Sequence, residues 1–271
     1  MDVVGGGTVS EGLDVLVVLP TLGTRNDRLR KALASIDQQR GNLGVTIALV
    51  VPQDATEARA MGAEFGAVIV DDPGRGMSAA MNAGRRVATT QKATIWLGDD
   101  DAYEPGGLAT LFSLLSEHPD AVVAYGGCRY VDDAERTLWM SQAGRLASEL
   151  IGFGPNLIPH PAAMIRLDAL EAVGGYDESL RLVMDLDVFL KLKKTGTFIA
   201  TKTPVAVFGW HDDSLTVAGR VDSEKEARKV KRRHLPAVLR PLSGLWEWPV
   251  AWASRVAATT LNRRVRGTLA R

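Results

Sequence analysis

The sequence lacks the features that mark secreted or membrane-spanning chains. It has one cysteine, Cys128, so an intramolecular disulfide is excluded. No run of about 18 uncharged apolar residues is present, which argues against a spanning helix. Residues 1–12 are rich in glycine and contain neither a basic nor an apolar segment, so we expect no secretory signal. These absences favour a cytoplasmic protein.

The residues that are present suit one large globular domain with an appendage. Of the 271 residues, 46% are apolar and 24% are charged, as in soluble proteins with a substantial core. The formal net charge is zero, yet residues 225–271 contain 12 Lys+Arg and only 2 Asp+Glu. The other 224 residues contain 20 basic and 30 acidic side chains. We therefore predict a domain over 13–220 and a basic helical appendage over 221–271.

Strand and helix patterns alternate along the chain as far as about residue 127. Apolar runs predict strands at 13–20, 45–51, 67–70, 93–97 and 121–125. Amphipathic spacing predicts helices around 29–36, at 55–65, at 77–89, from Pro105 onward, at 167–173 and at 185–194. The glycine pair at 126–127 is interpreted as a turn, and the alternative is a close approach of the sheet to a ligand. This alternation predicts an α/β fold with a mostly parallel sheet flanked by helices.

Three adjacent carboxylates follow the fourth predicted strand. In an open parallel sheet, ligands bind beyond the carboxyl ends of the strands, which is where Asp99, Asp100 and Asp101 fall. Three like charges repel each other unless water or a cation compensates them. Mg²⁺ and Mn²⁺ prefer such oxygen ligands, so we predict a divalent metal site. The alternative is a solvated acidic loop before the next helix.

Six segments resemble, in order, motifs of family 2 glycosyltransferases, which have the GT-A fold. They are residues 16–21 (LVVLPT), 34–39 (ASIDQQ), 74–84 (GRGMSAAMNAG), 96–108 (WLGDDDAYEPGGL), 173–187 (VGGYDESLRLVMDLD) and 210–216 (WHDDSLT). The resemblance implies an inverting transfer of a sugar from a nucleotide-diphosphate donor to an acceptor hydroxyl, with Mg²⁺ or Mn²⁺ as cofactor. A glycan or a lipid-linked molecule is the expected acceptor.

The resemblance also assigns roles to individual residues. Asp185 is the expected catalytic base, because the family's base is the first Asp of an Asp-x-Asp pair. The expected metal ligands are Asp100, Asp101 and His211. The expected donor contacts are Pro20, Thr21, Gln53, Asp54, Arg75, Asn82 and Asp99. The structural alternatives are a helix N-terminal residue for Asp185, a loop histidine for His211 and a solvated arginine for Arg75.

Three positions depart from the family pattern and keep other functions open. Gly98 and Met184 stand where the family usually has acidic residues, and Gln53 stands where an Asp reads the N3–H of uracil. A glutamine offers a carbonyl acceptor but also a donor, so thymine and guanine are alternatives. A catalytically degenerate nucleotide-sugar-binding scaffold is one alternative function. A nucleotidyltransferase is another, although residues 21–25 poorly match the Gly-rich loop that it would need.

The C-terminal appendage has two interpretations. Trp246, Trp248 and Trp252 precede Arg255 and residues 263–266, a pattern that suits an anionic membrane surface at the inner face of the membrane. The alternative is a helical appendage that packs on the domain or on a second subunit. No nucleic-acid-binding motif is present, so we do not expect a nucleic-acid partner.

Overall fold

The computed structural model describes residues 13–41, 43–142, 144–210 and 220–245. His211 and the three tail tryptophans lie outside these residues. The strands are β1 (Leu13–Pro20), β2 (Gly44–Val51), β3 (Val68–Asp71), β4 (Ala93–Trp96), β5 (Ala102–Tyr103), β6 (Ala121–Val131), β7 (Thr137–Ser141), β8 (Ala163–Arg166) and β9 (Thr197–Gly209). The α-helices are α1 (Asn26–Asp37), α2 (Thr56–Glu64), α3 (Met77–Arg85), α4 (Gly107–Glu117), α5 (Leu146–Leu150), α6 (Leu167–Ala172), α7 (Met184–Leu192) and α8 (Arg220–His234).

The strands form one sheet with a parallel half and a mixed half. Their order is β3-β2-β1-β4-β8-β6-β9-β5, with β7 paired to β6. The pairs β1–β2, β1–β4 and β2–β3 are parallel, so the predicted parallel sheet is found in the first half. From β8 onward, the pairs are antiparallel except for β6–β9. The α/β class is confirmed, and its parallel part carries the strand ends that the sequence singled out.

Both faces of the sheet are covered by helices. On β1, Val15, Val17 and Leu19 pack in the core beneath α1, α2 and α4, whereas Leu16 and Val18 pack in the core beneath α3, α6 and α7. Side chains alternate between the two faces of a strand, so a strand buried on both faces is apolar throughout. This burial explains why β1 is readable as a continuous apolar run.

The prediction of a turn at Gly126 and Gly127 was wrong. β6 continues through both residues to Val131, with register shifts against β9 at this point. A Cβ at Gly126 would lie 2.7 Å from Cγ2 of Val205, and one at Gly127 would lie 3.1 Å from the carbonyl oxygen of Ser141. The glycines are required by the close approach of neighbouring strands, not by a reversal of the chain.

Helix α8 packs against α7, which contains the predicted base. Val230 is fully buried in the core beneath α7, and Nε2 of His234 lies 2.8 Å from Oδ1 of Asp187. The described start of the predicted appendage therefore contacts the domain, whereas the tryptophans on which its two interpretations depend lie outside the described residues. Among the described residues, no helix has both the length and the apolar character needed to cross a bilayer.

Candidate active site

The ends of β1 and β4 are joined by a buried hydrogen bond. Thr21 follows Pro20, the last residue of β1, and its hydroxyl donates to Oδ2 of Asp99 at 2.6 Å. Both Thr21 and Asp99 are buried. Burial raises the pKa of Asp99, while the Thr21 hydrogen bond and the charge of Arg25 lower it. Three of the predicted donor residues are thus adjacent at the carboxyl edge of the sheet.

Arg25 compensates part of the charge of the aspartate triplet. Its guanidinium lies 2.8 Å from Oδ2 of Asp100 and 3.5 Å from Oδ1 of Asp99. Arg25 immediately precedes α1, and no sequence motif singled it out. The guanidinium thus bridges two carboxylates, one through each terminal nitrogen. It holds them side by side although they would otherwise repel each other.

Asp101 faces the protein rather than the carboxyl edge. It is 5% exposed, and its Oδ1 accepts the backbone N–H of Gly209 at 3.1 Å. Burial and the neighbouring Asp100 raise its pKa well above the usual range. This carboxylate therefore links the β4 loop to the end of β9, and its role as a metal ligand stays a prediction.

The glycine at position 98 has a steric explanation. A Cβ there would lie 2.8 Å from Oδ2 of Asp101 and 2.9 Å from Oδ1 of Asp100. The family's more common acid at this position would displace both carboxylates. Gly98 therefore allows the loop to fold with Asp99 and Asp100 held together by Arg25.

The carboxylates of Asp99 and Asp100 suit a hard divalent cation whose other coordination positions are filled by the substrate. Within the described ranges, no three His, Cys, Asp or Glu side chains form a group able to hold a metal by themselves. Mg²⁺ typically takes one or two protein carboxylates and completes its shell with water and phosphate oxygens. Asp99 and Asp100 provide such a pair. His211, the third predicted ligand, lies outside the described residues.

At the ends of β2 and β3, polar side chains form a second group. The amide nitrogen of Gln53 donates to Oδ2 of Asp71 at 2.9 Å, and Arg59 contacts the other oxygen at 2.8 Å. These contacts lower the pKa of Asp71, first through Gln53 and then through Arg59. Asp54, the other predicted donor contact, is exposed beside Gln53. One of the two N–H groups of the Gln53 amide is thus occupied, and its second N–H and its carbonyl oxygen remain.

Asn82 is bound within the protein. Its Nδ2 donates to the carbonyl of Tyr176 at 2.8 Å and to Glu178 at 3.1 Å, while its Oδ1 accepts from the N–H of Tyr176 and from Arg85. It is 5% exposed. This hydrogen bonding does not support the predicted donor contact and shows instead that Asn82 links α3 to the loop before α7.

Arg75, in the loop before α3, is paired with a carboxylate in the described structure. One guanidinium nitrogen lies 2.7 Å from Oε2 of Glu178, and its side chain is exposed. To contact phosphate as predicted, Arg75 would have to break this ion pair. An exposed ion pair contributes little to stability, so breaking it costs little free energy.

Asp185 lies in the first turn of α7, close to the carboxyl edge of the sheet. Ser78, in the first turn of α3, donates to the carbonyl of Leu180 at 2.8 Å and contacts the sulfur of Met184 at 3.4 Å. Because α3 follows the loop after β3, these contacts place the start of α7 beside the strand ends. Asp185 is half-buried and accepts a hydrogen bond from Nδ2 of Asn156 at 2.8 Å.

Burial raises the pKa of Asp185 from its usual 3.8 to about 6. The backbone N–H groups of Leu186 and Asp185 and the Asn156 amide act in the opposite direction. A carboxylate with a pKa close to neutrality is suited to accept a proton from an alcohol. Asp185 therefore has the electrostatics of a general base.

Asp187 is unsuited to that role. It is fully buried and pairs with Lys191 at 2.8 Å and with His234 at 2.8 Å. These partners lower its pKa against the effect of burial. The structure therefore supports the choice of Asp185 over Asp187 that the family pattern implied.

Three residues of this region were not found from the sequence. Asn156 orients Asp185, Arg25 pairs the acidic residues, and Glu226 of α8 accepts backbone N–H groups just before α7. Each acts across 29 to 75 positions in the chain, so local periodicity gave no signal for any of them.

His160, whose ring centroid lies 4.4 Å from that of Trp96, is a neutral core residue. Burial lowers its pKa to about 3.

The chain is similar to known glycosyltransferases in sequence and in fold. A family profile described as Glycosyl transferase family 2 matches residues 16–174. TarS residues 1–349 from S. aureus, solved in complex with UDP-GlcNAc, has 13% identity and a TM-score of 0.63, over 82% of this chain and 66% of that one. The mannosyltransferase PcManGT from Pyrobaculum calidifontis, in complex with GDP-Man and Mn²⁺, has 16% identity and a TM-score of 0.60, over 93% and 76%.

No curated protein has significant sequence similarity to the chain. At identities of 13% and 16%, the solved structures inform the fold alone, and they confirm the predicted GT-A-type architecture. The chain spans 66% of the TarS fragment solved with UDP-GlcNAc and 43% of another solved TarS chain. The profile match is a separate finding, and it covers more than half of the sequence. The chain therefore belongs to glycosyl transferase family 2.

Proposed function

We propose that this protein is a metal-dependent inverting glycosyltransferase that uses a nucleotide-diphosphate sugar. The observation that carries the proposal is Asp185, a half-buried carboxylate whose pKa of about 6 suits a base, at the start of α7, where Ser78 of α3 contacts Leu180 and Met184. The scaffold alternative does not explain why the fold keeps a desolvated carboxylate there. Desolvation costs stability unless function requires it.

In this proposal, Asp185 removes the proton of the acceptor hydroxyl as its oxygen attacks the anomeric carbon. The bond from that carbon to the diphosphate breaks on the opposite face, so the configuration inverts. A divalent cation, when bound, stabilises the negative charge that develops on the leaving diphosphate. Asp100 is the proposed ligand of that cation, and Asp99, held by Thr21, supports the donor. The neighbour PcManGT was solved with GDP-Man and Mn²⁺, which is consistent with this arrangement.

The Gln53 contact supports a proposal about the nucleobase. Asp71 accepts one of the two amide N–H groups of Gln53, and in our proposal the Gln53 carbonyl at the end of β2 is the group that contacts the base. Uracil, thymine and guanine have a ring N–H that such an acceptor binds, whereas the corresponding ring nitrogen of cytosine is itself an acceptor. We propose that the site selects the first three bases over cytosine.

The hydrogen bond from Asn156 predicts a change in the pH profile. It favours the ionised form of Asp185, so its removal in Asn156→Ala raises the pKa of Asp185 above about 6. A base acts only when deprotonated, so the acid limb of kcat/KM against pH should move to higher pH. Activity at pH 6 should fall more than activity at pH 8. An unchanged acid limb would show that Asn156 does not control the base.

The acceptor and the membrane association are further parts of the proposal. We propose a glycan or lipid-linked acceptor and a tail that contacts anionic lipid, because tryptophans precede arginines in residues 246–271. The full chain should sediment with phosphatidylglycerol-containing vesicles, and a chain ending at Leu245 should not. Equal sedimentation of the two would contradict the membrane role of the tail.

Product analysis tests the proposed reaction. The protein is incubated with UDP-, GDP- and dTDP-sugars and Mn²⁺, and the products are separated by anion exchange. We expect release of the nucleoside diphosphate and free or transferred sugar. Release of pyrophosphate would identify a nucleotidyltransferase, and no turnover with any donor would favour the scaffold.

A further inference from the structure

Helix α8 provides a carboxylate to the turn that precedes the base. Oε1 of Glu226 accepts the backbone N–H of Arg181 at 3.1 Å, and Oε2 accepts those of Leu182 at 2.7 Å and Val183 at 3.0 Å. Val183 is the N-cap residue of α7 and has no side-chain capping bond of its own. One side chain, distant in sequence, therefore satisfies three consecutive backbone donors two residues before Asp185.

Unsatisfied backbone N–H groups at a helix start carry partial positive charge and require an acceptor. The side chain of a Ser or Asp at the N-cap position normally provides this acceptor, but residues 181–183 are Arg, Leu and Val. The backbone N–H of Val183, the N-cap residue, is one of these donors, and Glu226 accepts it. Glu226 thus fixes the turn that leads directly into α7.

The attachment of α8 does not depend on Glu226. Val230 is fully buried, Arg233 pairs with Asp177 at 2.6 Å, His234 lies 2.8 Å from Asp187, and Lys231 donates to the carbonyl of Gly154. These contacts involve the last two turns of α8. The capping of residues 181–183 is therefore separable from the packing of the helix.

We propose that Glu226 is a positioning residue that fixes the first turn of α7 and thereby the orientation of Asp185 toward the acceptor hydroxyl. This inference rests on the proposed role of Asp185 as base. It extends the functional unit to α8, because both α7 and α8 follow the residues 16–174 that match the family profile. Glu226 does not touch the reacting atoms and acts only through the backbone of the turn.

The test compares Glu226→Ala with Glu226→Gln and with the control Asp222→Asn, which removes an exposed carboxylate of α8 that pairs with Lys225 on the same helix. Displacement of a catalytic group by about 1 Å costs on the order of 100-fold in rate, so kcat of Glu226→Ala should fall at least about tenfold. The donor KM should change less than about twofold, because the donor residues lie on other elements. Asp222→Asn should match the wild type.

Two further readouts separate positioning from general stability. Acetate should restore part of kcat in Glu226→Ala by occupying the three N–H groups, whereas neutral acetamide should not. In an Asp185→Asn background, Glu226→Ala should cause little further loss, since residues that act as a unit are not additive. Any of three results would overturn the inference. They are a wild-type kcat in Glu226→Ala, a loss of kcat matched by falls in donor affinity and melting temperature, and failure of acetate to restore activity. Undiminished turnover in Asp185→Asn would instead refute the proposed base.

Discussion

The Asp185→Asn variant should lose about 10³-fold in kcat while it retains donor affinity, because removal of a general base typically costs 10² to 10⁴ in rate. Asn is almost isosteric with Asp and still accepts the hydrogen bond from Asn156. The donor KM should therefore change little. Steady-state kinetics that follow release of the nucleoside diphosphate measure both constants.

Asp168→Asn is the matched control. Asp168 also lies in the first turn of a helix, α6, where its carboxylate accepts the backbone N–H of Ala169 at 2.7 Å. Asp168 is exposed and is not among the groups that shift the pKa of Asp185. If Asp168→Asn loses activity as much as Asp185→Asn does, the effect reflects helix stability rather than catalysis.

The Asp185→Asn substitution should also stabilise the fold. Burial raises the pKa of Asp185 from 3.8 to about 6, so the folded state binds a proton more tightly than the unfolded state does. The free energy of unfolding of the wild type therefore falls as pH rises from 4 to 6, and Asn avoids that loss. Above pH 6 we expect a gain of about 1 kcal/mol, after allowance for the partial exposure of the side chain. Urea unfolding at pH 4 and pH 7 measures it.

The second large effect is expected for Asp100→Asn. If Asp100 holds the divalent cation, its loss should weaken metal binding and reduce kcat by about 100-fold, the scale of a lost electrostatic contact in a transition state. Excess Mn²⁺ should recover part of the activity. Kinetics at several Mn²⁺ concentrations measure this dependence.

Asp133→Asn serves as the control for Asp100, since Asp133 is an exposed carboxylate that also pairs with an arginine. Its partner, Arg28, lies in α1, the helix that Arg25 precedes. It should have the wild-type dependence on Mn²⁺. Activity of Asp100→Asn that equals the wild type without added metal would contradict the proposed metal site.

The sequence predicted the parallel half of the sheet well because its strands are buried on both faces. Apolar runs located β1 at Leu13–Pro20 and placed β2, β3 and β4 within one residue of their observed bounds. In the second half, the sequence predicted only residues 121–125 of β6, because β7 and β9 are partly exposed and β6 continues through two glycines. Strand identity there depends on contacts between distant segments.

The site was predictable only where its residues follow strands or lie in a known motif. Thr21, Gln53 and the aspartate triplet could be proposed as site residues because each follows a strand end, and their roles stay predictions. The burial of Asp101 and Asn82 and their hydrogen bonds to Gly209 and Tyr176 could not be predicted, since they appear only in the folded chain. Glu226 was missed for the same reason.

The measurement that tests the account most directly is a thermal-shift comparison of UDP, GDP, dTDP and CDP with Mn²⁺, with and without EDTA. A ligand that binds only the folded state raises the melting temperature with the logarithm of its excess over Kd. We predict a metal-dependent rise with at least one of UDP, GDP and dTDP, none with CDP, and loss of the rise in Asp100→Asn. No shift with any diphosphate, or an equal shift in the presence of EDTA, would contradict a metal-dependent donor site at the strand ends.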